Sequence, residues 1–317
     1  MLHQVFDLVT PDLKTPADLF FVGDEQEGAE GFRTDAWECF KRAWKASRNP
    51  YMLHMGDVRD WLRPSLRCKV DAVIQGDGSA KRMLDGMVMK GLEESIRRLE
   101  FAKGRIVGMH QGHHDYEFQS GANATMLMAT ALETLNLGWV ACTRLRLVAK
   151  GRGHADGVVT LASSHGNAAG KNTTAVAQSM ESSFRDMVVD LKVQGHACRS
   201  DSWIPHTYRI PRRRGAPGEE TVMSRHLLVG GFCDGYTDGW STRPLVRGDR
   251  RVGGQPLVQY PERRNMVRQP VGWGVARIGF TYSAEVARSR SLNARERLVS
   301  VEVVNQNPTL CPDGLYR

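Results

Sequence analysis

The chain has 317 residues, of which 41% are hydrophobic and 25% are charged, and its formal net charge is +8. This length and apolar content suffice for one large α/β domain or two small ones. No uncharged apolar run reaches the roughly 18 to 20 residues of a transmembrane helix, so neither a membrane span nor a membrane partner is predicted. The positive charge favours an acidic partner such as nucleic acid or a phosphorylated substrate, although a basic surface also serves solubility alone.

The cysteines and the first residues indicate a cytoplasmic protein. The six cysteines lie far apart and form no CxxC pair, which is typical of a reducing compartment and not of a disulfide framework. The segment "MLHQVFDLVTPDLK" lacks the basic and apolar regions of a signal peptide. We therefore expect the chain to act in the cytoplasm.

The first half of the chain alternates short apolar runs with helical patterns. "DLFFVGD" predicts a buried strand that ends at Asp24, and "TDAWECFKRAWKASR" has apolar residues at helical spacing. "YMLHMGD" predicts a second strand that ends at Asp57, and a long helical stretch follows it. "RIVGMHQGHHD" predicts a third strand that leads to His113 and His114. The order β-α-β-α-β predicts an α/β sheet, in which ligands bind at the carboxyl ends of the strands.

The second half contains more strand signals. "RLRLVAKG" and "DGVVTLASSHG" predict a hairpin that ends at His165, "TAVAQSMESSFRDMV" predicts a helix, and "VVDLKVQGHAC" is an apolar run before His196. Two strands are predicted on either side of the basic loop "PRRRG". A further strand is predicted in "GWGVARIGFTY" and another in "RLVSVEVV". With no internal repeat or linker, we expect one domain over residues 1–285 and a C-terminal extension over 286–317, packed on it or trailing from it.

Polar side chains follow five of the predicted strands. They are two carboxylates and four imidazoles, namely Asp24, Asp57, His113, His114, His165 and His196. Such a set can bind one or two divalent ions, with Mn, Fe or Zn as the best candidates. A single His or Asp at a strand end is more often structural, so the prediction depends on the repetition of the pattern.

The ordered motifs resemble those of the calcineurin-like metallophosphoesterases. That family carries Asp-x-His, Gly-Asp-x-x, Gly-Asn-His-Asp/Glu, a later His-Gly and Gly-His-x-His, each at the end of a strand. The corresponding segments here are "GDEQ" at 23–26, "GDVRD" at 56–60, "GHHD" at 112–115, "SHG" at 164–166 and "GHAC" at 195–198. The resemblance covers about residues 18–280 and implies a four-layer α/β/β/α sandwich.

Three further segments are similar to phage and prophage members of that family. They are "HGNAAGKNTT", "GGFCDGYTDGW" and "QPVGWGVARI". If the chain is phage-encoded, its compartment is the host cytoplasm.

The resemblance also implies metal ligands and catalytic residues. Asp57 would bridge two ions, and Asp24 would bind the first of them. The ligands of the second ion would be His113, His165 and His196.

For the chemistry, His114 would protonate the leaving oxygen or stabilise the transition state. Asp115 would orient His114 and raise its basicity. A metal-bound hydroxide would attack phosphorus in line.

Two positions depart from the family pattern. Gln26 and Cys198 stand where the family has histidines of the first metal site, while His113 replaces an asparagine and strengthens the second. The first site then holds a different metal, or is empty in a mononuclear enzyme, or belongs to a protein that has lost catalysis. His54 and His110 are possible substitute ligands, although packed strand histidines are the simpler interpretation.

The sequence therefore predicts a metal-dependent phosphoesterase, and the basic charge favours a phosphodiester of nucleic acid or a nucleotide as the substrate. The alternative is a catalytically weakened protein of the same fold that binds nucleic acid or a protein as a phage accessory factor. Arg212–Arg214 could grip phosphates and Trp203, Trp240 and Trp273 could stack on bases. Solvated charge and core packing are the simpler explanations, and the oligomeric state is not predicted.

Overall fold

The structure is a computed structural model that describes residues 2–29, 32–61, 78–151, 153–155, 157–166, 173–196, 201–203, 206–209, 220–232, 272–281 and 298–306. Features singled out in the sequence that lie outside these residues are Cys198, Arg212–Arg214, Trp240, most of "GGFCDGYTDGW" and residues 167–172 of "HGNAAGKNTT". Trp203 lies in a strand, but its side chain is not among those described.

Fourteen strands are described. In chain order they are β1 (Leu2–Thr10), β2 (Ala17–Val22), β3 (Pro50–His54), β4 (Ile106–His110), β5 (Asn136–Gly138), β6 (Val140–Ala149), β7 (Gly157–Ser164), β8 (Leu191–Gln194), β9 (Asp201–Trp203), β10 (His206–Arg209), β11 (Glu220–Met223), β12 (Arg225–Leu228), β13 (Trp273–Thr281) and β14 (Leu298–Gln306). The first sheet has the order β1-β6-β7-β8-β12-β9, the second has the order β14-β13-β2-β3-β4-β5, and β10 pairs with β11.

The helices are α1 (Thr34–Ala46), α2 (Gly78–Leu99), α3 (Ala124–Ala131) and α4 (Thr173–Ser183), and a 3-10 turn spans Glu100–Ala102. The predicted order β-α-β-α-β is confirmed as β2, α1, β3, α2 and β4, with the three strands parallel neighbours. None of the helices in the described part of the chain is long and apolar enough to cross a membrane.

The strand directions bring the loops after the predicted strands together. Strands β2, β3 and β4 are parallel, so the loops that follow them leave the second sheet at one edge. Strands β7 and β8 are also parallel, and the loops after them leave the first sheet side by side. The hairpin predicted around residue 150 is confirmed as the antiparallel pair β6 and β7.

Three apolar clusters define four layers. Leu92 and Met128 belong to the cluster that joins α1, α2 and α3 to the outer face of the second sheet. Phe21 and Leu161 meet between the two sheets. Phe184, just after α4, packs on the outer face of the first sheet. The order helices, sheet, sheet, helix is the α/β/β/α sandwich that the motifs implied.

An aromatic group holds α1 on the second sheet. The Phe40 ring lies 5.0 to 6.4 Å, between centroids, from the rings of Phe20, Trp37, Trp44, Phe101, Phe232 and Trp273. Phe101 is partly exposed, and full burial of a phenylalanine side chain such as Phe40 contributes about 1.5–3 kcal/mol to folding. Trp273 is fully buried and stacks on Phe232, so its role is core packing and not contact with nucleic acid.

The tail contributes a strand to the second sheet. β14 lies within the segment expected as an extension, and it pairs antiparallel with all nine residues of β13, from Trp273 opposite Gln306 to Thr281 opposite Leu298. Val301 in β14 is buried between the sheets. This strand therefore covers the outer edge of β13.

His110 is a packed strand histidine that joins the two sheets. It is fully buried in β4, its Nδ1–H donates to the Gly138 carbonyl at 2.9 Å, and its Nε2 accepts from the Ser163 hydroxyl of β7 at 2.8 Å. Burial lowers the pKa of His110 to about 4, with further lowering by the charge of His165. His110 is therefore neutral in the folded protein.

We expect His110 to make stability depend on pH. Its folded pKa lies below its unfolded value, so its contribution is complete above pH 6.5 and is lost as the pH falls toward 4. The loss amounts to about 1.4 kcal/mol per pH unit in that window. The difference in unfolding free energy between the wild type and His110→Gln should shrink between about pH 7 and about pH 5. Urea denaturation at each pH measures it, and a constant difference would contradict this account.

Candidate metal centre

The loops at the shared edge place four ligand side chains together. The ligand atoms of Asp57, His113, His165 and His196 all lie within 4.8 Å of one another. His165 Nε2 is 3.1 Å from His113 Nδ1 and 3.3 Å from Asp57 Oδ2. The His113 and His196 ring centroids are 4.2 Å apart. One carboxylate and three imidazoles form a donor set that suits a divalent transition metal.

A backbone carbonyl sets the orientation of His165. Its Nδ1–H donates to the Met55 carbonyl at 2.7 Å, which leaves Nε2 directed at Asp57 and His113. Histidine ligands of metals are commonly oriented in this way through their second nitrogen. Gly56 is required here, because it has φ +102° and a Cβ would lie 2.7 Å from His165 Nδ1.

Buried polar atoms at this edge that lack a hydrogen-bond partner among the described residues include Asp24 Oδ1 and His196 Nδ1, and Asp57 Oδ2 has a 3.3 Å contact with His165 Nε2. A buried polar atom without a partner costs about 1–3 kcal/mol. A divalent cation bound by Asp57 and His196 would give the His196 nitrogen a partner and would add one for the Asp57 oxygen. The residues present therefore fit a metal ion.

The charged groups of the site shift one another's pKa values. Burial by itself lowers the pKa of His165, but the hydrogen bond to Asp57 and the charge of Asp24 raise it to about 9. Burial raises the pKa of Asp57, yet His165 and then His114 lower it overall. Burial, followed by the charges of His165 and His113, lowers the pKa of His196 to about 4. His165 and Asp57 therefore stabilise each other's charged forms.

The backbone at the site adopts conformations that side chains disfavour. Five non-glycine residues in the described part of the chain have positive φ, and four of them lie in these loops: Asp24 (51°), Gln26 (48°), Asp57 (53°) and His196 (61°). Left-handed conformations of non-glycine residues cost of order 1 kcal/mol or more and cluster at functional sites. The strain therefore points to this edge independently of the donor set.

The predicted first metal site is less complete. Asp24 is fully buried and its Oδ2 accepts from the His196 N–H at 2.8 Å, but it lies outside the four-residue group. Gln26 is half-buried, and its N–H donates to the Asp57 carbonyl at 3.0 Å. Cys198 is outside the described residues. The structure thus assembles the ligands expected for the second ion and leaves the first ion without a described set.

His114 lies beside the group with its ring held by Asp60. The His114 N–H donates to Asp57 Oδ1 at 2.8 Å, and His114 Nδ1–H donates to Asp60 Oδ1 at 2.9 Å. Asp60 lies three residues after Asp57 in the segment "GDVRD". Sequence reasoning missed this role of Asp60, because nothing in that segment connects it to His114.

The expected contact between Asp115 and His114 is not present. Asp115 Oδ1 instead accepts from the N–H groups of Tyr116 at 3.0 Å and Thr125 at 3.1 Å. The chain turns between His114 and Asp115, which directs the carboxylate toward the first turn of α3. Asp115 therefore fastens the "GHHD" loop to that helix, and Asp60 has the role predicted for Asp115.

His54 pairs with a residue that sequence reasoning missed. His54 Nδ1 accepts from the Gly56 N–H at 3.1 Å, so Nε2–H donates to Glu25 Oε1 at 3.0 Å. Both side chains are buried. His54 thus connects the loops after β2 and β3 and is a packed strand histidine, as the simpler interpretation predicted. A buried Glu25 between the motif positions Asp24 and Gln26 had no local signal.

A separate cleft lies at the other end of the second sheet. Its lining includes Asp18, Ala43 and Arg277, and Arg277 Nε already donates to Asp18 Oδ1 at 2.9 Å. Asp18 and Arg277 are therefore already paired with each other, and the metal centre remains the candidate functional site.

Comparison with known proteins gives only distant similarity. No protein-family model and no curated protein matches the chain. Similar solved structures include Vps29 of Chaetomium thermophilum (10% identity, TM-score 0.37, 92% of this chain and 98% of that one) and Vps29 of Cryptosporidium parvum (11%, 0.33, 92% and 99%). Another is wild-type Vps29 of Entamoeba histolytica complexed with Zn²⁺ (12%, 0.36, 91% and 98%). A function for this chain therefore has to be argued from the four layers and the donor set. The likeness to phage-type members remains a prediction.

Gly112 tests how tightly the centre is built. A Cβ at Gly112 would lie 1.9 Å from Asp57 Oδ1, so we expect Gly112→Ala to displace Asp57 and to weaken Mn²⁺ binding at least about tenfold. The matched control is Gly86→Ala in α2, where a Cβ meets nothing within 4 Å. The control should retain binding and gain about 0.5–1 kcal/mol of stability. Calorimetric Mn²⁺ titration measures the affinities of the two variants, and thermal unfolding measures their stability. Equal Mn²⁺ affinities of the two variants would contradict the geometry.

Proposed function

We propose that this protein is a metal-dependent phosphoester hydrolase. The observation that carries the proposal is the group Asp57, His113, His165 and His196, whose ligand atoms lie within 4.8 Å of one another, beside the His114–Asp60 pair. A metal site next to an oriented histidine is an arrangement suited to hydrolysis of a phosphate ester.

The ligand residues have defined tasks. A divalent cation held there would supply the Lewis-acid charge that stabilises negative charge on the phosphoryl oxygens. Asp57 uses Oδ1 to accept the His114 N–H and directs Oδ2 into the group. Met55 and Asp24 fix His165 and His196 from outside. The site is therefore preorganised before substrate arrives.

His114 is proposed as the general acid. Because Nδ1–H donates to Asp60, Nε2 is the nitrogen that can pass a proton to the leaving oxygen. The Asp60 carboxylate stabilises the imidazolium form and keeps one tautomer. The bond from the His114 N–H to Asp57 holds this acid at a fixed position next to the ligands.

The substrate is proposed to be a phosphodiester of nucleic acid or a nucleotide, acted on in the cytoplasm. The support is the net charge of +8, which favours polyanionic ligands over neutral ones. The metal is proposed to be Mn, Fe or Zn, because imidazole and carboxylate suit these ions.

A second candidate is a protein of this fold that binds nucleic acid or a protein without hydrolysing anything. The observation in its favour is that Asp24 lies outside the four-residue group and is followed by Gln26, a weak neutral ligand. This candidate predicts salt-dependent binding of nucleic acid and no turnover with any of the three metals.

Three substitutions separate the proposed roles. Asp57→Asn should abolish both Mn²⁺ binding and hydrolysis of bis(p-nitrophenyl) phosphate. His114→Ala should retain the metal and lower kcat by about 10²–10⁴-fold, the contribution of a general acid. Asp60→Asn should lower kcat less and shift the alkaline limb of the pH profile to lower pH, because the imidazolium of His114 loses its carboxylate partner.

The control is Asp7→Asn, since Asp7 forms an exposed ion pair with Arg146 on β6, and its activity should equal that of the wild type. Unchanged turnover in Asp57→Asn would refute the proposed function. Metal binding without any turnover in the wild type would select the second candidate.

Metal content should follow the four ligands. After equilibration with Mn²⁺ and desalting, we expect one ion per chain, and His165→Ala should hold none. His110→Gln is the matched control, because His110 is a buried histidine that contacts Ser163 and not the group, and it should keep its ion. Mass spectrometry of the metal measures the content. Two ions per chain would place a second one at Asp24, Gln26 and Cys198.

A further inference from the structure

Trp139 exposes an indole beside the metal centre. Trp139 is the residue between β5 and β6 in the chain, and its side chain is 47% exposed. The indole centroid is 5.1 Å from that of His113, in an edge-to-face arrangement, and 6.2 Å from that of His165. The Trp139 carbonyl accepts from the His165 N–H at 3.3 Å. Both the ring and the backbone of Trp139 therefore contact residues of the ligand group.

Trp139 is far more exposed than the tryptophans that lie in the core. Trp37, Trp44 and Trp273 are 2%, 6% and 0% exposed. An indole buries its large apolar surface wherever packing alone decides its position. Trp139 leaves nearly half of its surface open at the rim of a polar site, where a bound molecule can reach the indole.

The segment that precedes Trp139 is fixed by buried contacts and hydrogen bonds. The Gly138 carbonyl accepts from the Gln111 N–H at 3.0 Å and from His110 Nδ1–H at 2.9 Å. Leu137 is buried against Gly108, where a Cβ would lie 2.6 Å from the leucine side chain. Trp139 is thus held on an anchored backbone, as preorganised recognition requires.

We propose that Trp139 is the platform on which the base of a nucleotide substrate stacks. This inference rests on the proposed function and narrows its substrate class to nucleotide esters. In a nucleotide, one sugar separates the phosphate from the base, and a phosphate bound at His113 places the base next to the indole. Stacking of a base on an aromatic side chain is worth about 1–3 kcal/mol and tolerates any base. Sugar phosphates and alkyl phosphates make no such contact.

Binding of two monophosphates to the Mn²⁺-loaded protein tests the inference. Adenosine 5′-monophosphate and ribose 5-phosphate carry the same phosphate and sugar and differ in the base. We expect Trp139→Ala to weaken calorimetric binding of the adenosine compound about 5- to 150-fold, the equivalent of one stacking contact. Binding of ribose 5-phosphate should change by less than about twofold. Trp139→Phe should restore most of the lost affinity, because it keeps an aromatic face.

Folding and metal content of each variant are checked first, by thermal unfolding and mass spectrometry. If Trp139→Ala does not fold, Trp139→Phe and Trp139→Leu replace it, and the leucine variant should lose the preference for the base. Equal weakening of both ligands, or no preference of the wild type for the base, would overturn the inference. In either case hydrolysis of simple diesters would leave the proposed function intact. A wild type that binds no metal and hydrolyses no ester would overturn both.

Discussion

The site depends on two hydrogen bonds that cross between the sheets. His165 follows a strand of the first sheet and donates to the Met55 carbonyl of the second, and the His196 N–H donates to Asp24 in the same direction. These bonds bring histidines from one sheet to carboxylates of the other. Buried carboxylates are costly unless positive charge or donors face them. The candidate metal centre therefore lies in the joint between the sheets, and its geometry depends on how the two sheets are docked.

The same joint explains why the loops accept strain. Asp24, Asp57 and His196 hold left-handed backbone conformations, and Gly112 passes so close to Asp57 that no side chain fits. Around them, Glu27, Arg59 and Arg98 form ion pairs at 3.2 to 3.4 Å that tie the loops to α2. The rigid surroundings hold a geometry that the loops alone would not adopt.

Local patterns predicted much of this structure, and long-range geometry supplied the rest. Strands β2, β3 and β4 could be predicted because each is a short apolar run followed by Gly-Asp or Gly-His. The rule that ligands bind at the carboxyl ends of parallel strands then placed Asp57 and His113 at one edge of the sheet. The pairing of β1 with β6 could not be predicted from local patterns, because it joins residues that are far apart in the sequence, such as Leu2 and Ala141.

Side-chain partners were harder to predict than positions. Asp115 is adjacent to His114 in sequence, but Asp60 is its neighbour in space, because a tight turn separates consecutive side chains. Trp139 carries no motif, and its significance comes only from its distance to His113. The first metal site was judged from Gln26 and Cys198, one of which lies outside the described residues.

The spacing of the ligands has a consequence for the order of folding. Asp57, His113, His165 and His196 join four separate loops, so the centre has the long-range contacts that form slowly. A cation can bind with full affinity only after both sheets have docked and the chain has closed these loops. Metal uptake at this group would then be a late event that distinguishes folded molecules from collapsed intermediates. The bound ion would cross-link the two halves of the sandwich and slow their separation.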